Sequence, residues 1–303
     1  MPIHFPPLRR GSPVAGRLLV AILLLSAATA CGSNNKDDEG GGAGPSPLPS
    51  AITYTAVGAS DAIGVGSSSP CVPFTSCPDG RGYVPIIARA LQQRGQVTLS
   101  NLGLPGAVLS PQVQQLGNQY GRGIPGNFIE QEMPFVPRNS NIVTIFAGGN
   151  DANTIGTAVR QGAGGSEPSA YIDQQVQQFA TDYTALVRGI RDRASSARLI
   201  VLNLPNMAAL PYNAGLSATE RRYMRQIAVG LSRAANAQLS SNAVVIDLMC
   251  DARSYQPGNY SSDGFHPNDA GYAFLASEVM RAIDDPGGYP APQQACGFMD
   301  VGR

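Results

Sequence analysis

AITYTAVGASD, residues 51–61, is a β-rich run, uncharged up to the Asp of the Gly-Ala-Ser-Asp turn on which it stops. Positions 52–57 read as a strand covered on both faces, because neither face alternates into charged residues. Gly58 ends it. In an open parallel sheet the crevice lies at the carboxyl ends of the strands, so this turn would carry Ser60 to the place where such a sheet binds ligands.

Four further runs have the same character: 97–101, 142–147, 199–204 and 243–248. Between them lie helical patterns at 83–94, 112–119, 171–194, 217–238 and 269–283, with Ser217 and Glu220 forming a capping-box signature. Short strands alternating with longer helices predict an α/β fold around a parallel sheet, and no internal repeat competes with that reading. Gly- and Pro-rich stretches at 67–82, 121–140, 152–169 and 205–215 read as loops over one rim of the sheet.

The turns at the strand ends carry the chemistry. Gly58-Ala59-Ser60-Asp61 comes after the first strand, Asn101-Leu102-Gly103-Leu104-Pro105-Gly106 after the second, and Gly148-Gly149-Asn150-Asp151 after the third. After the fifth comes Asp263-Gly264-Phe265-His266. The chain has only two histidines, and His4 sits in a segment that reads as cleavable, so any serine–histidine chemistry must use His266. Acyl transfer needs a nucleophile, a base, a group that orients the base, and donors for the developing oxyanion. Ser60, His266 and Asp263 supply the first three. The Ser60 and Gly106 N–H groups and the Asn150 amide are candidates for the fourth. Asp151 is expected to cap the segment after it, and Asp269 to cap the last helix. Met207, Leu210, Tyr212 and Phe265 are expected pocket walls.

These four segments resemble the ordered blocks of the SGNH (GDSL-like) hydrolase family: Gly-Asp-Ser, Asn-x-x-x-x-Gly, Gly-x-Asn-Asp and Asp-x-x-His. Ser60, Gly106, Asn150 and His266 match its four letters and Asp263 its triad acid, over 53 to about 283. The resemblance implies a flavodoxin-like three-layer α/β/α fold with a five-stranded parallel sheet and esterase activity without cofactor or metal. The chain departs from the pattern at Ala59, where the family has Asp; here the acid, Asp61, comes after the serine. The nucleophile elbow Gly-x-Ser-x-Gly of α/β-hydrolases is absent, since position 62 is Ala.

Composition bounds the rest. The 303 residues are 43% hydrophobic and 14% charged, enough to build a full core. Arg9, Arg10 and Arg17 precede the apolar run Leu18–Leu25 and small residues 27–30, which reads as an export signal over 1–30. Ala28-Thr29-Ala30-Cys31-Gly32 resembles a bacterial lipobox, which implies lipidation of Cys31, and 31–50 is a Gly/Pro/Ser-rich tether ahead of a domain at 51–303. Losing the leader removes three of the 21 basic residues and leaves 18 against 21 acidic, without a basic stripe for nucleic acid.

The expected partners are therefore a small ester or acylated substrate and a membrane reached only through the lipid. With Cys31 lipidated, four cysteines remain for an oxidising compartment, and of three connectivities Cys71–Cys77 and Cys250–Cys296 is favoured because each joins neighbouring loops. No spacing matches a zinc site. Two functions are in view: an exported, lipid-anchored serine esterase, or a non-catalytic lipoprotein that binds a ligand or envelope partner on a hydrolase scaffold. The second would be marked by loss of a nucleophile, base or oxyanion donor, and the chain keeps all of them.

Overall fold

The computed structural model describes residues 47–301. The expected leader, the Cys31 lipidation site and most of the tether lie outside them. Five strands, β1 (Ala51–Gly58), β2 (Gln96–Asn101), β3 (Ile142–Phe146), β4 (Arg198–Leu202) and β5 (Val244–Ile246), form one all-parallel sheet in the order β2-β1-β3-β4-β5. Alternate residues serve opposite faces. Tyr54, Ile142, Ile200 and Ile246 pack with one buried cluster that includes α1 (Tyr83–Gln92) and α7 (Asp269–Asp284). Val57, Val143, Leu199 and Val245 pack with another, which takes in α4 (Gly149–Arg160), α5 (Pro168–Arg193) and α6 (Ala218–Asn236). Period-two alternation with both faces apolar is what a helix-covered parallel sheet requires. The result is the five-stranded α/β fold expected from the sequence.

α2 (Pro111–Gln119) and the four-residue α3 (Phe128–Gln131) fill the β2–β3 connection. Ser217 caps α6 through a complete capping box with Glu220, as expected. Three expectations need correction. The first half of the stretch 152–169, read as a loop, is α4: its Gly, Asn and Thr are weak helix formers, yet Ala152, Ile155 and Ala158 bury one face. Packing overrides propensity there, and Thr154 and Thr157 turn their hydroxyls back to the carbonyls of Asn150 and Asn153.

β5 is shorter than expected because the Asn203 side chain captures its continuation, accepting from the N–H groups of Leu248 (2.6 Å) and Met249 (3.1 Å). The cap of α7 is Asn268, which accepts from Ala270 and Gly271, so Asp269 is free to receive the Ser68 N–H (2.7 Å) and hydroxyl (2.6 Å). Among the described residues no helix is long and apolar enough to cross a membrane. Cys71 is joined to Cys77 and Cys250 to Cys296.

Candidate active site

β1 delivers Ser60 into a tight turn closed by Ala62 N–H to Ala59 O, Gly64 N–H to Asp61 O and Val65 N–H to Ser60 O. Gly66 continues it at φ +93°, where an added Cβ would come within 2.8 Å of the His266 Cβ and 2.7 Å of the Pro267 carbonyl. Glycine therefore lets this turn lie directly against the histidine segment. α7 fastens the two together, since the Tyr272 hydroxyl donates to the Val65 carbonyl (2.6 Å) and Asp269 holds Ser68.

His266 lies on a compact loop in which Ser261 N–H donates to the His266 carbonyl (2.8 Å) and Gly264 N–H to the Ser261 carbonyl (2.9 Å). Asp263 organises it: Oδ1 accepts from the Ser261 hydroxyl (2.7 Å), Phe265 N–H (2.8 Å) and His266 N–H (2.9 Å), and Oδ2 meets His266 Nδ1 at 2.6 Å. Partial burial raises the pKa of this carboxyl, but the bonds from the His266 ring, the two N–H groups and Ser261 outweigh it and hold Asp263 well below the usual carboxylate range. An ionised carboxylate only accepts, which places the proton on Nδ1 and turns the Nε2 lone pair to the Ser60 hydroxyl, 2.9 Å away. Phe265 packs edge-on to the imidazole (4.8 Å) and against Tyr212 (5.4 Å), bracing the ring from one side.

The structure thus brings Ser60, His266 and Asp263 into one hydrogen-bonded line from opposite ends of the domain. Gly106 (φ +81°) and Asn150 line the same cleft as these three and Tyr212. The Asn150 amide donates to the Ala107 carbonyl (3.0 Å), and the Ser60 and Gly106 N–H groups have no hydrogen-bond acceptor among the described residues. Ser60 is 6% exposed, buried apart from its approach to the cleft. Phe265 and Asn150 are shared with an adjoining inner cavity, walled by Phe146, Leu204, Met207 and Leu210. Of the four expected pocket walls, Met207 and Leu210 line the cavity, Tyr212 the cleft, and Phe265 both.

One acid differs from its sequence reading, and two others have none. Asp151 does not cap α4, whose N-cap is Gly148; it is 1% exposed and accepts the Leu109 N–H (2.9 Å), pinning the segment after Gly106. Burial pushes its pKa up to about 7, against the Leu109 bond and the more distant Arg122. The Asp61 side chain lines the inner cavity with no hydrogen bond from its carboxyl to another residue among those described, and burial raises its pKa against the opposing pull of His266. Sequence reasoning misses Glu132 altogether: it is 1% exposed and accepts the N–H of Gly58 at 2.9 Å. Its one sequence signal is a carboxylate set among Ile129, Met133 and Phe135.

A search of curated proteins found no match. Among solved structures, a lipase from a goat rumen metagenome is 19% identical, with 78% of this chain and 98% of that one covered and a TM-score of 0.53. Phospholipase A1 from Streptomyces albidoflavus NA297 is 17% identical over 76% of this chain and 98% of its own, at 0.54. An extracellular lipase from Streptomyces rimosus is 18% identical over 76% and 99%, at 0.51. At these identities the likeness establishes the fold. The GDSL-like Lipase/Acylhydrolase family matches residues 56–274, a span that holds all four polar clusters and strands from each part of the sheet. The chain belongs to that family and is a carboxylic ester hydrolase.

Proposed function

We propose that the protein is an exported, lipid-anchored serine esterase in which Ser60 attacks the ester carbonyl and forms an acyl-enzyme. The observation that carries this reading is the line Asp263 Oδ2 to His266 Nδ1 (2.6 Å) and His266 Nε2 to Ser60 Oγ (2.9 Å) beside Gly106 and Asn150. As Oγ bonds to the carbonyl carbon, its proton passes to Nε2, and Asp263 stabilises the resulting imidazolium. The carbonyl oxygen, now an oxyanion, is received by the Ser60 and Gly106 N–H groups and the Asn150 amide. Collapse expels the alcohol, protonated by His266, and water then repeats the sequence to release the acid and free Ser60.

The inner cavity favours an apolar substrate portion, because Phe146, Leu204, Met207 and Leu210 offer dispersion contact over a mainly apolar lining, with polar groups such as Asp61 and Arg253 also on its wall. The cell-envelope assignment rests on the leader at 1–30, Cys31 and the tether at 31–50, ahead of the hydrolase domain at 51–303. Two disulfides fit an oxidising compartment. The test is hydrolysis of p-nitrophenyl esters of rising chain length by the wild type and by Ser60→Ala. The reading requires turnover by the first and near-total loss in the second. Absence of turnover across the panel favours the non-catalytic binding role. Intact-mass analysis of the native protein checks the anchor, and an unmodified Cys31 rejects it.

A further inference from the structure

The Ser60 turn and the Gly106 loop meet at a buried carboxyl that belongs to neither. Glu132 comes directly after α3 and is 1% exposed, and its Oε2 accepts the N–H of Gly58 at 2.9 Å. Gly58 is the last residue of β1, two before Ser60. The Gly58 carbonyl in turn accepts the Leu104 N–H (3.2 Å), which also faces the Glu132 carboxyl, and Leu104 stands two residues before Gly106. The Leu104 carbonyl then accepts from Ala107, closing the turn that presents Gly106. Glu132 Oε1 is buried without a partner among the described residues.

A carboxyl is an expensive way to fill a core. A leucine of similar size would pack without the desolvation cost, though it would leave the Gly58 N–H without an acceptor. The location explains the choice. The oxyanion must sit within about 2.7–3.1 Å of its donors, and an error of about 1 Å in such a constellation costs roughly 100-fold in rate. The Ser60 and Gly106 N–H groups reach the cleft from different strands, and Glu132 fastens the first directly at Gly58 and the second through the Gly58 carbonyl's bond to Leu104, each two residues from a donor.

We infer that Glu132 is a positioning residue for ester hydrolysis: its buried carboxyl holds the Gly58 N–H, the Gly58 carbonyl holds the Leu104 N–H, and the carboxyl so sets the distance between the nucleophile and the Gly106 oxyanion donor. Burial pushes the Glu132 carboxyl well above the usual range, with the two N–H groups opposing. A protonated carboxyl has one carbonyl oxygen to accept and one O–H to donate, and a glutamine amide reproduces that pattern. The conservative variant should therefore work.

The inference rests on the serine-esterase reading, and the test separates the two. Steady-state hydrolysis of p-nitrophenyl butyrate is measured for wild type, Ser60→Ala, Glu132→Gln and Glu132→Ala. The temperature lies at least about 20 °C below each variant's unfolding midpoint, and folded protein is quantified by circular dichroism and gel filtration. Glu132→Ala should lose at least about 30-fold in kcat with KM within about threefold, whereas Glu132→Gln stays within about fivefold of wild type. If Glu132→Ala is not recovered folded, Glu132→Leu, which fills the space without an acceptor, is read by the same criterion. A variant without acceptor that is folded, less stable and as fast as wild type overturns the inference alone, since a merely structural role lowers the midpoint and spares kcat. So does a Glu132→Gln enzyme as slow as Glu132→Ala. Wild type without ester turnover overturns the reading and the inference together.

Discussion

The Asp263 carboxylate grips His266 twice, receiving its backbone N–H on Oδ1 (2.9 Å) and facing its ring Nδ1 with Oδ2 (2.6 Å). A three-residue spacing makes this possible, because the turn folds the side chain of the first residue over the last. Asp263→Asn keeps an acceptor for the backbone donors but turns an N–H toward Nδ1, which favours the wrong tautomer. Turnover should fall by about 10⁴-fold, with a small change in the unfolding midpoint. Asp269, equally far from His266 on the other side, touches Ser68 instead. Asp269→Ala should leave kcat within about threefold, and the paired kinetic and denaturation measurements distinguish the two acids.

Asn150 offers one amide hydrogen to Ala107 and has a second for the cleft. Asn150→Ala should cost roughly 100- to 1000-fold in kcat with little change in KM, because the donor matters most when the oxyanion forms. A rise in KM at constant kcat would instead mark a ground-state binding role.

Asp151 makes stability depend on pH in an unusual direction. Its folded pKa, about 7, lies above the ordinary carboxyl value of 3.8, so the folded state prefers the proton. Wild type therefore loses stability as pH rises from about 4 through about 7, where the unfolded chain ionises and the buried group resists. Asp151→Asn keeps an acceptor for Leu109 and never ionises. Relative to wild type it should gain roughly 2–4 kcal/mol between pH 4 and pH 8. Denaturant midpoints at the two pH values that differ equally for both proteins would refute this.

The two disulfides should differ in weight. Cys250–Cys296 spans a sequence separation of 46 residues that contains His266, and Cys71–Cys77 one of only 6. Chain-entropy arguments put the loss on removal at about 4 and about 2 kcal/mol respectively as upper figures. Chemical denaturation of the paired Cys→Ala variants tests the ranking.

Much of this is legible because the informative residues lie where strand ends meet turns. Gly58–Asp61 and Asp263–His266 show both their place in the sheet and their chemistry in a few letters. α4 is hidden because GNDANTIGTAVR has low intrinsic helicity and folds on tertiary burial. The Asn268 cap is masked by its neighbour Asp269, because both residue types cap helices and only the backbone geometry separates them. Glu132 and Asp151 are illegible as clamps, because their partners are backbone N–H groups of Gly58 and Leu109, 74 and 42 residues away. A main-chain donor leaves no mark in a sequence.

Whether Ser60 is the nucleophile and His266 its base is decided by covalent trapping. A p-nitrophenyl alkylphosphonate is incubated with wild type, Ser60→Ala and His266→Ala, and the products are read by intact mass and peptide mapping. A triad centred on Ser60 gives one adduct per wild-type chain, on the peptide bearing Ser60, none on Ser60→Ala, and labelling slowed by orders of magnitude in His266→Ala. An adduct on another residue, or undiminished labelling and ester turnover in Ser60→Ala, would contradict it.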